Sequence, residues 1–117
     1  MSEIKSNRDN LNSEMEEVCL QIIALAGDAK SKVFEALSTA REGDFSKAKQ
    51  MLEEADRNIN EARETQHVLL TKEARGTSVK PSVLLNHAMD ILITAESERN
   101  MAVHVLGLFE NVIQSHD

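Results

Sequence analysis

Arg41-Glu42-Gly43-Asp44-Phe45 joins two long runs of helical periodicity, and its reading decides the fold. Gly43 suits the left-handed position that follows a helix C-terminus. Asp44 is a natural N-cap for whatever follows. So short a link folds the second helix back along the first as an antiparallel neighbour. Before the link, apolar positions recur as Leu11, Met15, Val18, Ile22, Leu25, Ala29, Val33, Ala36 and Ala40, in steps of four and three. That spacing places them on one helical face. Leu20, Ile23, Ala26, Phe34 and Leu37 widen the face and call for more than one neighbour. Gly27 interrupts this helix at a cost of about 1 kcal/mol against alanine, offset by a close packing contact or simply tolerated. Residues 1–9 are polar and aperiodic and read as a frayed tail, leaving 10–117 as a single domain.

After the link, Ala48, Leu52, Ala55, Ile59, Ala62, Gln66 and Leu69 repeat the pattern over a helix from Phe45 to about Lys72. Lys47, Lys49, Glu53, Glu54, Arg57, Glu61 and Glu64 fill its other face as solvated charges with weak local pairing. Gln66 breaks the apolar seam and reads as a satisfied interior amide. Periodicity is lost over residues 73–80, the one real loop. Ser78 is the expected cap of the third helix, with Pro81 in its first turn. That helix runs to about Gln114 and carries two stripes. Leu84, Ala88, Ile91, Ala95, Ala102, Leu106, Phe109 and Ile113 form the first. Val83, His87, Asp90, Thr94, Ser97 and Met101 form the second. One stripe serves the chain's own core and the other a further subunit. The fold class is all-α: an antiparallel up-down-up three-helix bundle that associates further.

The 117 residues carry a formal charge of -7 and one cysteine. An acidic chain without a basic stripe does not suit a nucleic acid or an anionic membrane surface. No apolar run approaches the length of a membrane span or a secretory signal, and a lone Cys19 forms no internal disulfide. These readings point to a cytoplasmic protein. Cys19, between Val18 and Leu20, reads as a small buried hydrophobe.

Chemistry concentrates in residues 81–94, where His87 and Asp90 are the only ionisable groups. At a spacing of three they share one helical face. A carboxylate among Leu, Ile and Val is costly unless paired, so the segment carries either a site or a buried defect. Neutral imidazole, the main form at cytosolic pH for a reference pKa of about 6.5, is a nucleophile toward phosphorus. Copies of Asp90 converging on a symmetry axis would need protons or a cation of the magnesium type. The alternative is a protonated or water-bridged carboxylate. His67, His104 and His116 read as packed or hydrogen-bonded rings. No His-x-x-x-His, cysteine cluster or Gly-rich phosphate loop is present.

Several stretches together resemble the lactose/cellobiose-type IIA components of the bacterial sugar phosphotransferase system. Ile22-Ile23-Ala24-Leu25-Ala26-Gly27-Asp28-Ala29-Lys30-Ser31 is similar to that family's Ile-Ile-x-x-Ala-Gly-x-Ala-Arg-Ser. Glu35-Ala36-Leu37, Gly43-Asp44-Phe45, Glu54-Ala55, Glu61-Ala62, Gln66, Leu69 and Glu73-Ala74 continue the likeness. Residues 82–94 are similar to its Ser-Leu-Leu-Leu-Val-His-Ala-Gln-Asp-His-Leu-Met-Thr signature. The resemblance implies a homotrimer of three-helix protomers. It implies a transferase whose histidine, His87 here, takes a phosphoryl group from the histidine phosphocarrier HPr. The phosphohistidine then donates to a cysteine of a IIB component, and the membrane IIC component moves the sugar. Asp90 takes the place of the aspartate that meets its mates around a metal ion, of the Mg2+ type, on the trimer axis. Met89 and Ile91 stand where the family has Gln and a second His. Those losses give weight to a second hypothesis, a non-catalytic helical interaction or regulatory module. A histidine-phosphotransfer domain of two-component signalling is discounted, because the Lys-Gly of its His-x-x-Lys-Gly pattern is missing after His87.

Overall fold

The computed structural model describes the backbone of residues 2–76 and 82–115, with side chains described over 13–76 and 82–114. Three helices follow one another: α1, Ser2–Arg41; α2, Phe45–Ala74; and α3, Val83–Ser115. They lie side by side in a rod measuring 74 × 21 × 19 Å. The backbone of residues 2–9 is helical, continuous with α1, where the sequence reading expects a frayed tail. No Gly or Pro lies between Ser2 and Ala26 to end the helix.

The link behaves as its residues require. Gly43 takes φ +100°, in the region that an L side chain rarely enters. Its N–H donates to the Ala40 carbonyl at 2.9 Å, and the Asp44 N–H donates to the Thr39 carbonyl at 3.2 Å. The Asp44 carboxylate accepts from the Lys47 N–H at 3.1 Å and caps α2. At the far end, Gly76 turns the chain out of α2 with φ +87°. The expected Ser78 cap and Pro81 lie outside the described residues. Ser82 caps α3 instead, its Oγ accepting from the Leu85 N–H at 3.0 Å.

The core is narrow and built mostly of small residues. Ala26, Ala29 and Ala36 of α1 face Ala48, Ala55 and Ala62 of α2 and Ala88, Ala95 and Ala102 of α3, with Ile22, Val33 and Ile59 as the largest fully buried side chains. Alanine lets helix axes approach closely, so three helices close without tryptophan or tyrosine. Every apolar seam position expected on α2 is buried, and Gln66 is half-buried. Cys19 is buried in this core, and its thiol pKa is raised by burial and then by the charge of Glu16. Gly27 makes only an ordinary contact, since an added Cβ would lie 3.7 Å from Ile91 Cδ1. Tolerance within a long helix is therefore the right account of it.

Phe109 and Ile113, assigned by their spacing to the core stripe, are exposed. Gly27–Ile91 and Lys30–Thr94 pair α1 with α3 at the same sequence offset. Carried forward, that offset ends α1 near the level of Val105, so the last turns of α3 extend past it. Phe109 keeps one ring contact there, with Phe45 at 6.2 Å.

Interhelix ion pairs hold the register. Lys49 pairs with Glu110 at 2.9 Å, Asp56 with Arg99 at 3.2 Å, and Arg63 with Glu96. Lys49 thus reaches across to α3 rather than pairing within its own helix. All are partly exposed, so their role is alignment more than stability. The stability lies in the apolar layer. Ile59→Ala should destabilise the fold by about 3 kcal/mol, read as a lower denaturation midpoint in urea. A loss below about 1 kcal/mol would show that the site collapses around the missing atoms.

Candidate functional site

The second stripe of α3 points away from the core along its whole described length. Val83, His87, Asp90, Thr94, Ser97 and Met101 are all exposed. Ala88, Leu92, Ala95 and Ala102, on the opposite face, are buried. The 3.6-residue repeat that buries one set necessarily presents the other. Asp90 is therefore no buried defect in the protomer. His87 stands open to solvent near the N-terminal end of α3, within reach of a docking protein.

The surroundings of His87 come from two helices. By the offset that aligns Gly27 with Ile91, Ile23 of α1 is level with His87, and Leu20 lies close to the level of Val83. Ile91, one turn beyond His87, packs on Gly27 and supplies no polar atom. Met89 turns to the other side, where its sulfur accepts from Gln66 Nε2 at 3.1 Å. Both positions that depart from the family signature are thus taken up by packing between helices.

Below Asp90, Lys30 reaches across from α1. Its Nζ donates to Thr94 Oγ1 at 3.0 Å and to Glu98 Oε1 at 2.8 Å. Thr94 Oγ1 in turn lies 3.0 Å from the Asp90 carbonyl and 3.1 Å from that of Ile91, sharing its proton with the helix backbone. Lys30 thereby fixes α1 against the helix that carries His87 and Asp90. Periodicity gave no sign of this, because the partners lie more than sixty residues apart. One cation with a hydroxyl and a carboxylate on facing helices is visible only in three dimensions.

His67 and His104 are exposed, not packed, because no second element covers their faces. His116 lies outside the described residues. No group of three or more His, Cys, Asp or Glu that could hold a metal ion occurs among the described residues. A cavity of about 320 Å³ opens between α2 and α3, lined in part by Leu52, Arg99, Val103 and Gly107. It lies more than three turns along α3 from His87 and shares no residue with the stripe. No helix of the described residues is long and apolar enough to cross a membrane.

Residues 17–110 match the family model described as the lactose/cellobiose-specific IIA subunit of the phosphotransferase system. The lactose-specific EIIA component of Staphylococcus aureus is 39% identical over 97 residues, covering 83% of this chain and 94% of the relative. The lichenan-specific phosphotransferase enzyme IIA component of Bacillus subtilis is 32% identical over 104 residues, covering 89% and 94%. Among solved structures, the cellobiose-specific enzyme IIA of Bacillus anthracis superposes with a TM-score of 0.81 at 34% identity, covering 84% of this chain and 90% of that one.

Proposed function

The chain belongs to the lactose/cellobiose-specific IIA family of the phosphotransferase system, and from that premise we propose that His87 carries the phosphoryl group. A IIA component is a phosphocarrier in sugar uptake that works between HPr and a IIB component. The non-catalytic alternative is not favoured by these relatives. The observation that carries the assignment is the exposure of His87 on the outward face of α3. A ring nitrogen of neutral His87 attacks the phosphorus of phospho-HPr. The donor's P–N bond breaks as the new one forms, and the donor imidazole leaves with its electron pair. The phosphoryl group then passes to a thiolate of the IIB component, and the His87 P–N bond breaks. The chain contributes position and access; little covalent chemistry is required of it. Transport itself belongs to the membrane IIC component, and a cytoplasmic location follows from that partnership.

The assembly is a homotrimer closed by the second stripe of α3. Beyond Ser97 its continuation is apolar and exposed in the protomer: Met101 is 65% exposed and Leu108 67%, with Val105 in the same heptad-like row. Parallel copies joined along this row bring three Asp90 carboxylates together. Such a set suits a hard cation of the magnesium type, which would neutralise the repulsion between them. One protomer's single carboxylate would not. Asp90→Asn should therefore tighten association in chelator-treated buffer by roughly tenfold and remove its dependence on added Mg2+. Sedimentation equilibrium with and without Mg2+ makes the measurement. Equal association of both proteins in both buffers would place Asp90 away from the axis.

A further inference from the structure

The second stripe of α3 does not stop at Met101. From Val83 its steps run four, three, four, three and four, and the same rhythm carried on lands on His104, Leu108 and Asn111. All three are exposed. Asp90, Ser97, His104 and Asn111 thus form one row at intervals of seven, flanked by the row of Thr94, Met101 and Leu108. A seven-residue repeat drifts around a straight helix by about 20° per heptad, and a left-handed supercoil removes the drift. An axis that meets Asp90 therefore meets His104 two heptads lower, roughly 21 Å along the helix. His104 points out of the protomer, opposite buried Ala102 and Leu106. Its neighbours three and four residues away on the same helix, Asn100, Met101, Gly107 and Leu108, carry no charge.

We infer that three His104 imidazoles, one from each copy in the parallel seam, form a site for a divalent transition metal of the zinc type. The inference rests on the trimer reading and adds to it a second ion of a different class. Imidazole nitrogens with no carboxylate beside them select zinc, cobalt or nickel over magnesium, which takes oxygen ligands. Each ring gives one nitrogen, and a water completes the tetrahedron, as in zinc sites with three protein ligands and one open position. No group of three metal-binding side chains occurs within one protomer among the described residues, so the site is complete only between copies. Met101 and Leu108, each about a turn from His104, are exposed in the protomer and would close the layer above and below with apolar side chains. Three imidazoles gathered there without a partner would lose hydration at a cost that the ion offsets. An ion that binds only the assembled seam favours assembly by mass action. It sits roughly 25 Å along α3 from His87, so it acts on assembly and not on phosphoryl transfer.

The test uses the full chain in chelator-treated buffer, with Zn2+ and then Co2+ added alone as probes. Sedimentation equilibrium before addition reads the oligomer, and calorimetric titration reads the stoichiometry. One Zn2+ per three chains is expected, with a rise in the thermal midpoint. Co2+ should show the intense visible absorption of a four-coordinate site. His104→Ala should lose the ion, the absorption and the rise, yet remain a trimer and take phosphate on His87 at the parent's rate. Asp90→Asn and His67→Ala should keep the ion, which separates this site from the Asp90 carboxylates and from isolated surface imidazoles. A trimeric parent that binds no Zn2+, binds one ion per chain, or binds it equally after His104→Ala would overturn the site and leave the trimer reading intact. A parent that is monomeric with and without Zn2+ would overturn both.

Discussion

His87→Ala protein, incubated with phosphorylated HPr, is expected to take up no acid-labile phosphate, while the parent chain gains one phosphoryl group on that ring. The loss should exceed a thousandfold in rate, because no other group at this site supplies a nucleophilic nitrogen. Lys30, on the facing helix, is already engaged by Thr94 and Glu98. Stability should stay within about 0.5 kcal/mol of the parent. His87 is exposed, and alanine is the better helix former at an exposed helical position. The two readouts together separate loss of chemistry from loss of fold. His67 and His104 are also exposed and remain in the variant, so they act as internal competitors. Phosphate found on either of them by mass spectrometry, at the parent's rate, would move the site away from His87.

The second large effect concerns assembly. Met101→Lys combined with Leu108→Lys should convert the oligomer to monomer at micromolar concentration, as read by light scattering after size-exclusion chromatography. Both side chains are about two-thirds exposed in the protomer, so their replacement leaves the three-helix core untouched. In a seam of three parallel helices each would meet its own copies. Six lysine ammonium groups along one axis would then lose water and repel one another. Each apolar side chain withdrawn from the seam also forfeits about 2 kcal/mol of burial. Helicity should be that of the parent. If the double variant kept the parent's mass, the seam would run along another face of the bundle.

Legibility differed from residue to residue. Gly43 and Asp44 were readable because a positive φ and an N-cap are local requirements that few residue types meet. The α2 seam was readable because each position has one chemical character and the repeat is long. Ser82 was passed over in favour of Ser78, since serines at either position precede an apolar run and composition does not rank them. Phe109 and Ile113 carry the right spacing for the core yet lie past the end of α1. Their exposure is set by the lengths of other helices. Lys30 reads as one more surface lysine until Thr94 and Glu98 stand opposite.

By itself the sequence determined three helices, the turn between the first two, the buried stripe of α2 and much of those of α1 and α3, and the segment that holds His87 and Asp90. These follow from periodicity and backbone chemistry, which act over a few residues. Only the tertiary structure decided that the second stripe of α3 faces outward, that Asp90 is exposed in the protomer rather than sealed in it, and that Lys30 of α1 meets Thr94 and Glu98 of α3. Those outcomes depend on how α1 slides along α3. That register is fixed by contacts between residues far apart in the chain, whose energies leave no periodic mark on either helix.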